Sequence, residues 1–260
     1  MGGLPLPRED DYHRFEREID NWRIRRKDTN DRKSYDEVFD RQNVMRIYKL
    51  FTDGVIDRLD FPISTGKEGN VFRASTKGNE LVAVKIYRTS TSTFGDMAKY
   101  VQGDPRFKGL TGRKRKLIYA WANKEFLNLR LFENAGVRVP RPILHTANIV
   151  IMEYIGDENA PAKEMRNVRL DDPESVARKI LDYVRLAYQK VELVHADLSE
   201  FNVLMLGDEP IIIDVGQAVL LGHSQAEEWL ERDIKNMVRF FKKYDVRLDA
   251  AAELKEIRKK

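Results

Sequence analysis

The sequence predicts an α+β chain in two lobes: a small N-terminal lobe on a twisted antiparallel sheet, and a reduced, mainly helical C-terminal lobe. Between Phe61 and Tyr87, short runs rich in β-branched and aromatic residues alternate with Gly-bearing turns. Beyond Pro173 the apolar residues recur at helical spacing, and one strand-like run, Ile149-Val150-Ile151-Met152, stands between the two regions. The expected organisation is a basic helical extension over 1–50, an N-lobe over 51–152 and a C-lobe over 153–260.

Residues 8–50 read as polar helices in which Arg14, Arg17, Arg23, Arg25, Arg26 and Lys27 alternate with Tyr12, Phe15, Ile19, Trp22 and Ile24. A charged helix laying a narrow apolar stripe on the main body is the first reading of that pattern, and an RNA-binding arm is the second. Val38, Val44, Ile47, Tyr48 and Phe51 form another helical pattern that stops at Asp53-Gly54. Phe61-Pro62-Ile63-Ser64 then enters a Gly-containing turn and Val71-Phe72-Arg73-Ala74 leaves it. Leu81 to Tyr87 follows a Lys77-Gly78-Asn79 turn. Residues 88–115 lack a core pattern and are rich in Ser, Thr and Gly, so a long mobile insertion is expected there. Its end, Arg113-Lys114-Arg115-Lys116, reads either as a solvated run before a helix or as a contact for phosphate or RNA. A helix from Leu117 to Asn134 closes at Gly136, and Pro140 and Pro142 interrupt the chain before the strand at Ile149. A long amphipathic helix covers Pro173 to Lys190, with Asp171 or Asp172 as its cap and Pro173 in its first turn. Trp229, Leu230, Ile234, Met237, Val238 and Phe241 mark one more.

Composition narrows the chemistry. The net charge of +4 fits a polyphosphate ligand or a nucleic-acid neighbour without selecting either. No Cys is present, which excludes disulfides, thiolate catalysis and zinc–thiolate sites, and four His leave little material for a His-based metal centre. No apolar run approaches membrane-spanning length, and Gly2-Gly3-Leu4-Pro5 followed by charged residues is unlike a secretory signal. A cytoplasmic protein with no membrane partner is expected.

The chemistry-bearing residues then fall in a telling order. Ser64-Thr65-Gly66-Lys67-Glu68-Gly69-Asn70-Val71 matches the kinase nucleotide loop G-x-G-x-x-G-x-V, with Ser64 at the first Gly. Such a turn brings backbone N–H groups to phosphates without a Cβ clash, although alone it is equally a Gly-bearing hairpin. A Walker A loop does not fit, because Phe61 stands where its first Gly is needed. Val82-Ala83-Val84-Lys85 places a Lys inside an apolar strand, where an ammonium is costly without a partner. Its function would be to grip the α- and β-phosphates, paired with a helix glutamate. Glu125 is the first choice for that glutamate and Glu133, near the helix end, the second. An edge-strand Lys reaching water is the bland alternative.

Ile151-Met152-Glu153-Tyr154-Ile155-Gly156 reads as an inter-lobe hinge, where Met152, the Glu153 carbonyl and the Ile155 amide would face adenine. His195-Ala196-Asp197-Leu198-Ser199-Glu200-Phe201-Asn202 supplies a catalytic carboxylate, Asp197, and an oxygen ligand five residues on, Asn202. Asp214, closing the run Ile211-Ile212-Ile213, is the second ligand for Mg²⁺ on a nucleotide. His195 reads as packed support for the loop. Any one of these motifs is weak; six in this order are not.

They resemble the RIO family of atypical serine protein kinases. The carrying stretches are S-T-G-K-E-x-N-V at Ser64–Val71, H-A-D-L-S-E-[YF]-N at His195–Asn202 and D-x-G-Q-A-V at Asp214–Val219. The likeness covers about residues 40–245 and is nearest the RIO-one-type branch, since S-T-G-K-E opens the loop and no winged-helix domain is evident before it. Gly69, where that branch commonly has Ala, is expected to loosen the turn. The resemblance implies ATP with Mg²⁺ (Mn²⁺ as an alternative), autophosphorylation on serine and a mobile insertion after the Lys strand. It further implies action in maturation of the small ribosomal subunit, with its precursor or rRNA as partner. It implies, too, that ATP hydrolysis there matters more than substrate phosphorylation, and that an aspartyl-phosphate would fall on Asp214.

Three departures from ordinary protein kinases stand out. Asp214-Val215-Gly216 replaces D-F-G, and Ser199 stands where a Lys usually follows the catalytic Asp. The residues after Gly216 contain no A-P-E, so the usual peptide-docking platform is not expected. Two other readings compete: a small-molecule kinase of the aminoglycoside or choline type, which calls for a larger C-terminal cavity, and a nucleotide-gated ribosome- or RNA-binding module.

Overall fold

The computed structural model describes residues 39–66, 68–89, 94–110 and 113–259, with side chains from residue 97 onward in the helix that opens at Phe94. The helices expected before Phe39, Lys67 of the Gly turn, and Ser90 and Ser92, two serines of the expected insertion that are candidates for autophosphorylation, lie outside the described residues. The chain divides into two compact units, Met1–Ser90 and Thr91–Lys260.

In the first unit, helix α1 (Arg41–Thr52) starts where the Asp40 carboxylate accepts the Asn43 amide at 2.8 Å, satisfying one of the orphan donors of the first turn. Its buried face, Asn43, Val44, Ile47 and Leu50, has the 3–4 spacing of a one-sided helix. Strands β1 (Arg58–Thr65), β2 (Gly69–Ser75) and β3 (Leu81–Tyr87) pair antiparallel in order. The β2–β3 turn is closed by Asn79 in the left-handed conformation, with φ +61°. Phe39 meets Phe72 edge-on at 5.3 Å beneath the sheet.

The second unit opens with helix α2 (Phe94–Val101) and a 3₁₀ turn (Pro105–Phe107). Among the described residues of the expected insertion, Met97, Tyr100 and Phe107 are buried. Each is a large apolar group, and Met97 and Tyr100 stand three residues apart on one face of the helix, so the segment does carry a short core pattern. Helix α3 (Lys114–Ala135) ends on Gly136 at φ +91°, a left-handed stop that suits Gly. Strands β4 (Pro142–Thr146) and β5 (Ile149–Glu153) form a hairpin against α3. Strand β6 (Lys163–Glu164) precedes helix α4 (Pro173–Val191), whose N-terminus is held by the Asp172 side chain on the Ser175 amide at 3.0 Å. Of the two caps open in the sequence, Asp172 is the one used. Strand β7 (Leu193–Val194) is followed by β8 (Val203–Leu206), β9 (Glu209–Ile212) and β10 (Val219–Leu220). β6, β8 and β9 make one small sheet, and β7 and β10 another. Helices α5 (Ala226–Phe241) and α6 (Ala250–Ile257) finish the unit, the latter unanticipated from the sequence. Trp121, Phe132, Leu230, Met237 and Phe241 are among its fully buried side chains.

Candidate active site

In the first unit the Gly turn is the β1–β2 hairpin. Ser64 lies opposite Val71 and Thr65 opposite Asn70, while the Gly66 amide donates to the Gly69 carbonyl at 2.9 Å. Ser64, Thr65 and Gly66 are exposed, Glu68 and Val71 half-buried and Gly69 buried. Gly69 does not loosen the turn as expected. It pairs with Tyr87 on β3, and a Cβ at this position would lie 2.4 Å from the Ile86 carbonyl oxygen. The missing side chain permits a close approach of two strands. Register then sets Lys85 directly opposite Val71, one strand over from the turn. Lys85 is 9% exposed, with its ammonium 5.2 Å from the centroid of the Tyr87 ring. The bland alternative of a Lys reaching water from an edge strand does not describe it.

In the second unit Glu125, on α3, is 2% exposed whereas Glu133 is exposed at the helix end. Met152 and Ile155 are buried at the end of β5 and Glu153 is half-buried. The Glu153 carboxylate takes a two-pronged contact from Arg138, at 2.6 and 2.8 Å, and accepts the Arg141 amide at 3.1 Å. Burial pushes its pKa up, but the Arg138 hydrogen bonds and charge outweigh this and hold it below the usual glutamate range. The side chain is thus turned to structural use, and the Ile155 carbonyl accepts the Ala162 amide at 2.9 Å.

The loop from His195 to Asn202 and the turn from Asp214 to Ala218 are joined by main-chain pairing. Val203 opposes Ile212, and the Ile213 amide donates to the Asn202 carbonyl at 3.0 Å. Asn202 and Asp214 therefore project from adjacent ends of two hydrogen-bonded strands. The Asn202 amide nitrogen donates to the Asp197 carbonyl at 2.7 Å and to its carboxylate at 3.2 Å. With that NH₂ committed, the carbonyl oxygen is the atom Asn202 has left to accept a hydrogen bond or act as a ligand. Asp197 and Asn202 are half-buried and Asp214 is exposed, in a left-handed conformation at φ +59°. Such positive-φ residues off glycine are uncommon and are held by surroundings that over-determine them. His195 is buried and donates from Nε2 to the Ile213 carbonyl at 3.0 Å, and burial lowers its pKa, favouring the neutral ring.

The residues that hold these loops were not singled out in the sequence. Asp233, on α5, accepts the Ala196 amide at 2.8 Å and the Leu198 amide at 3.0 Å. Arg232 donates to the Ala196 carbonyl, and Asn236 to the Leu198 carbonyl at 3.0 Å. Burial pushes the Asp233 carboxyl up to about 8 against the lowering pull of its two N–H donors. On the other side, α3 supplies Lys124, which donates to the Gly216 carbonyl at 2.6 Å, and Asn128, which donates to the Val215 carbonyl at 2.8 Å. A signal was available: Asp233 sits in the apolar stripe of Leu230, Ile234 and Met237, and Lys124 beside Trp121 and Leu117, where a charge must find partners.

Comparison with known proteins gives this arrangement its context. The RIO domain family model matches residues 70–254, and the RIO-type serine/threonine-protein kinase Rio1 of Haloferax volcanii is 42% identical over 230 residues, 88% of this chain and 79% of that protein. The chain belongs to the RIO family. The human serine/threonine-protein kinase RIO1 is 40% identical to this RIO chain over 247 residues, which span 93% of this chain and 43% of the human protein. The fold is shared with the Rio2 kinase of Chaetomium thermophilum, solved as an ADP/Mg²⁺-phosphoaspartate complex. That match has a TM-score of 0.65 and 24% identity, and covers 84% of this chain and 67% of the other. Among the described residues no helix is long and apolar enough to cross a membrane.

Proposed function

We propose that this RIO-family chain is an ATP- and Mg²⁺-dependent serine/threonine protein kinase that also hydrolyses ATP, autophosphorylates on serine and acts on the maturing small ribosomal subunit. The observation that carries the chemistry is the Asp197–Asn202–Asp214 arrangement. One amide group ties the candidate base to the candidate ligand, and one strand pair brings the second ligand alongside. Two hard oxygen donors suit a cation that takes its remaining ligands from phosphate and water, as Mg²⁺ on a nucleotide does. When bound, the metal nucleotide supplies the transferable phosphoryl group. Asn202 and Asp214 would hold its cation, and Asp197 would accept or orient the proton of the attacking hydroxyl or water. The neutral His195 ring stiffens the loop from behind. We assign Lys85 to the α- and β-phosphates, with Glu125 to orient it, and the turn Ser64–Val71, including Lys67, to the phosphate backbone contacts. Met152 and the main chain at Glu153 and Ile155 are assigned to adenine.

A ribosomal partner is supported by the exposure of Arg113, Lys114, Arg115 and Lys116 at the start of α3, a compact basic cluster suited to RNA phosphates. The decisive experiment incubates purified protein with γ-labelled ATP and ribosomal particles, and separates free phosphate, phosphoprotein and acid-labile acyl-phosphate. Asp197→Ala and Asp214→Ala are each expected to lose on the order of 100-fold or more in turnover. Near-normal ATP consumption by either folded variant would refute the assignment.

A further inference from the structure

The turn that carries Asp214 is held by a network outside the nucleotide motifs, and that network reaches into the segment before α3. In the second unit, Asp104 caps the 3₁₀ turn by accepting the Arg106 amide at 3.0 Å, and its carboxylate also takes the Arg106 guanidinium at 2.5–3.0 Å. The other arm of that guanidinium donates to Asn128 Oδ1 at 3.1 Å. Asn128 Nδ2 then donates to the Val215 carbonyl at 2.8 Å and the Ala218 carbonyl at 3.3 Å. One turn earlier on α3, Lys124 donates to the Gly216 carbonyl at 2.6 Å, with its ammonium 4.9 Å from the Trp121 ring centroid. Lys124 and Asn128 are both 0% exposed.

The polarity of this chain of bonds is forced. An amide group has one accepting and one donating end, and reversing it would set Nδ2 against a guanidinium donor and Oδ1 against a carbonyl acceptor. Arg106 and the two carbonyls therefore favour the same orientation, the one in which Asn128 donates to the turn. Three carbonyls of one short turn are thereby satisfied by side chains from helix α3, and the left-handed Asp214 is the residue that enters this turn.

We propose that Arg106, Asn128 and Lys124 are positioning residues that hold the Asp214–Ala218 turn in its metal-competent geometry, so that the segment Asp104–Phe107 sets how well Asp214 engages a nucleotide-bound cation. This rests on the assignment of Asp214 made above. It makes the ordering of the segment before α3 a control on the metal site. Any contact that pulls Arg106 away, such as a competing acidic or phosphate group, loosens Asp214 without touching it.

The test uses the full chain and two readouts besides turnover: nucleotide binding measured with Mg²⁺ and again with EDTA, and deuterium exchange over residues 213–219 without nucleotide. Arg106 is partly exposed, at 21% of its side chain, so Arg106→Ala is the variant to rely on, with its melting temperature recorded alongside. It should weaken binding in Mg²⁺ by roughly ten- to a hundred-fold, as loss of a group supporting a metal ligand typically does, and leave binding in EDTA unchanged. Exchange over 213–219 should rise, and Arg106→Lys, which keeps one donor, should restore part of both. Unchanged Mg²⁺ dependence and exchange in folded Arg106→Ala would overturn the proposal, as would an equal loss in Mg²⁺ and EDTA, which marks a general structural role. If the unsubstituted chain binds nucleotide identically in Mg²⁺ and EDTA, the assignment of Asp214 itself fails, a result visible before any substitution is made.

Discussion

The Gly turn of the first unit and the two loops of the second are held in different ways. The turn at Ser64–Val71 is made by its own strands: β1, β2 and β3 pair through the backbone, and Gly69 lets β3 approach to where a Cβ would be 2.4 Å from Ile86. The loops at His195–Asn202 and Asp214–Ala218 are fastened by buried side chains from helices distant in the chain, chiefly Asp233, Lys124 and Asn128. A backbone ladder fixes where strands run and tolerates varied side chains at its exposed tip. A buried polar clamp fixes where individual carbonyls and amides point, which the proposed metal and proton-acceptor roles would require. The cost is that each clamp residue is hard to replace, because its partners would be left buried and unpaired.

The largest break in that comparison should come from Asp233→Ala. It strands the buried Ala196 and Leu198 amides, so a loss of about 2–5 kcal/mol in urea unfolding is expected, together with most of the turnover. A cost under about 1 kcal/mol would mean that Asp233 does not hold the loop. Gly69→Ala sharpens the other side: the added methyl must push β2 from β3, at about 1–3 kcal/mol measured in the same way. A neutral result would show that the ladder adjusts freely. Glu153 is an intermediate case, a half-exposed carboxylate clamped by the nearby Arg138. Glu153→Gln should cost about 1–2 kcal/mol at neutral pH. The folded pKa lies below the ordinary 4.5, so this contribution is complete above that value and fades as pH falls through the folded pKa. Parallel stability curves for the two proteins across acid pH would remove the pair from the account.

Much of the fold was legible because local patterns carry it. The period of α1 and α4, the Gly136 stop, the Asn79 turn and the Pro173 start each follow from residues within a few positions of one another. The candidate donors Asp197, Asn202 and Asp214 were legible for the same reason, since their order and spacing lie in two short stretches. The helix over Phe94–Val101 is hard to read because its one pair at helical spacing, Met97 and Tyr100, stands among Gly, Ser and Thr, and the effect of Gly69 is hidden because its neighbour is on another strand.

The sequence by itself determined the order of the motifs, the residue types able to bind a cation or take a proton, and the main helices and strands. Only the tertiary structure decided that Asp233, Asn128 and Lys124 fasten those motifs and that Arg106 holds Asn128. The physical reason is that a polar side chain in an apolar stripe announces a need for partners but not their address. The address is set by where the backbone carbonyls and amides of remote loops arrive once the helices have packed.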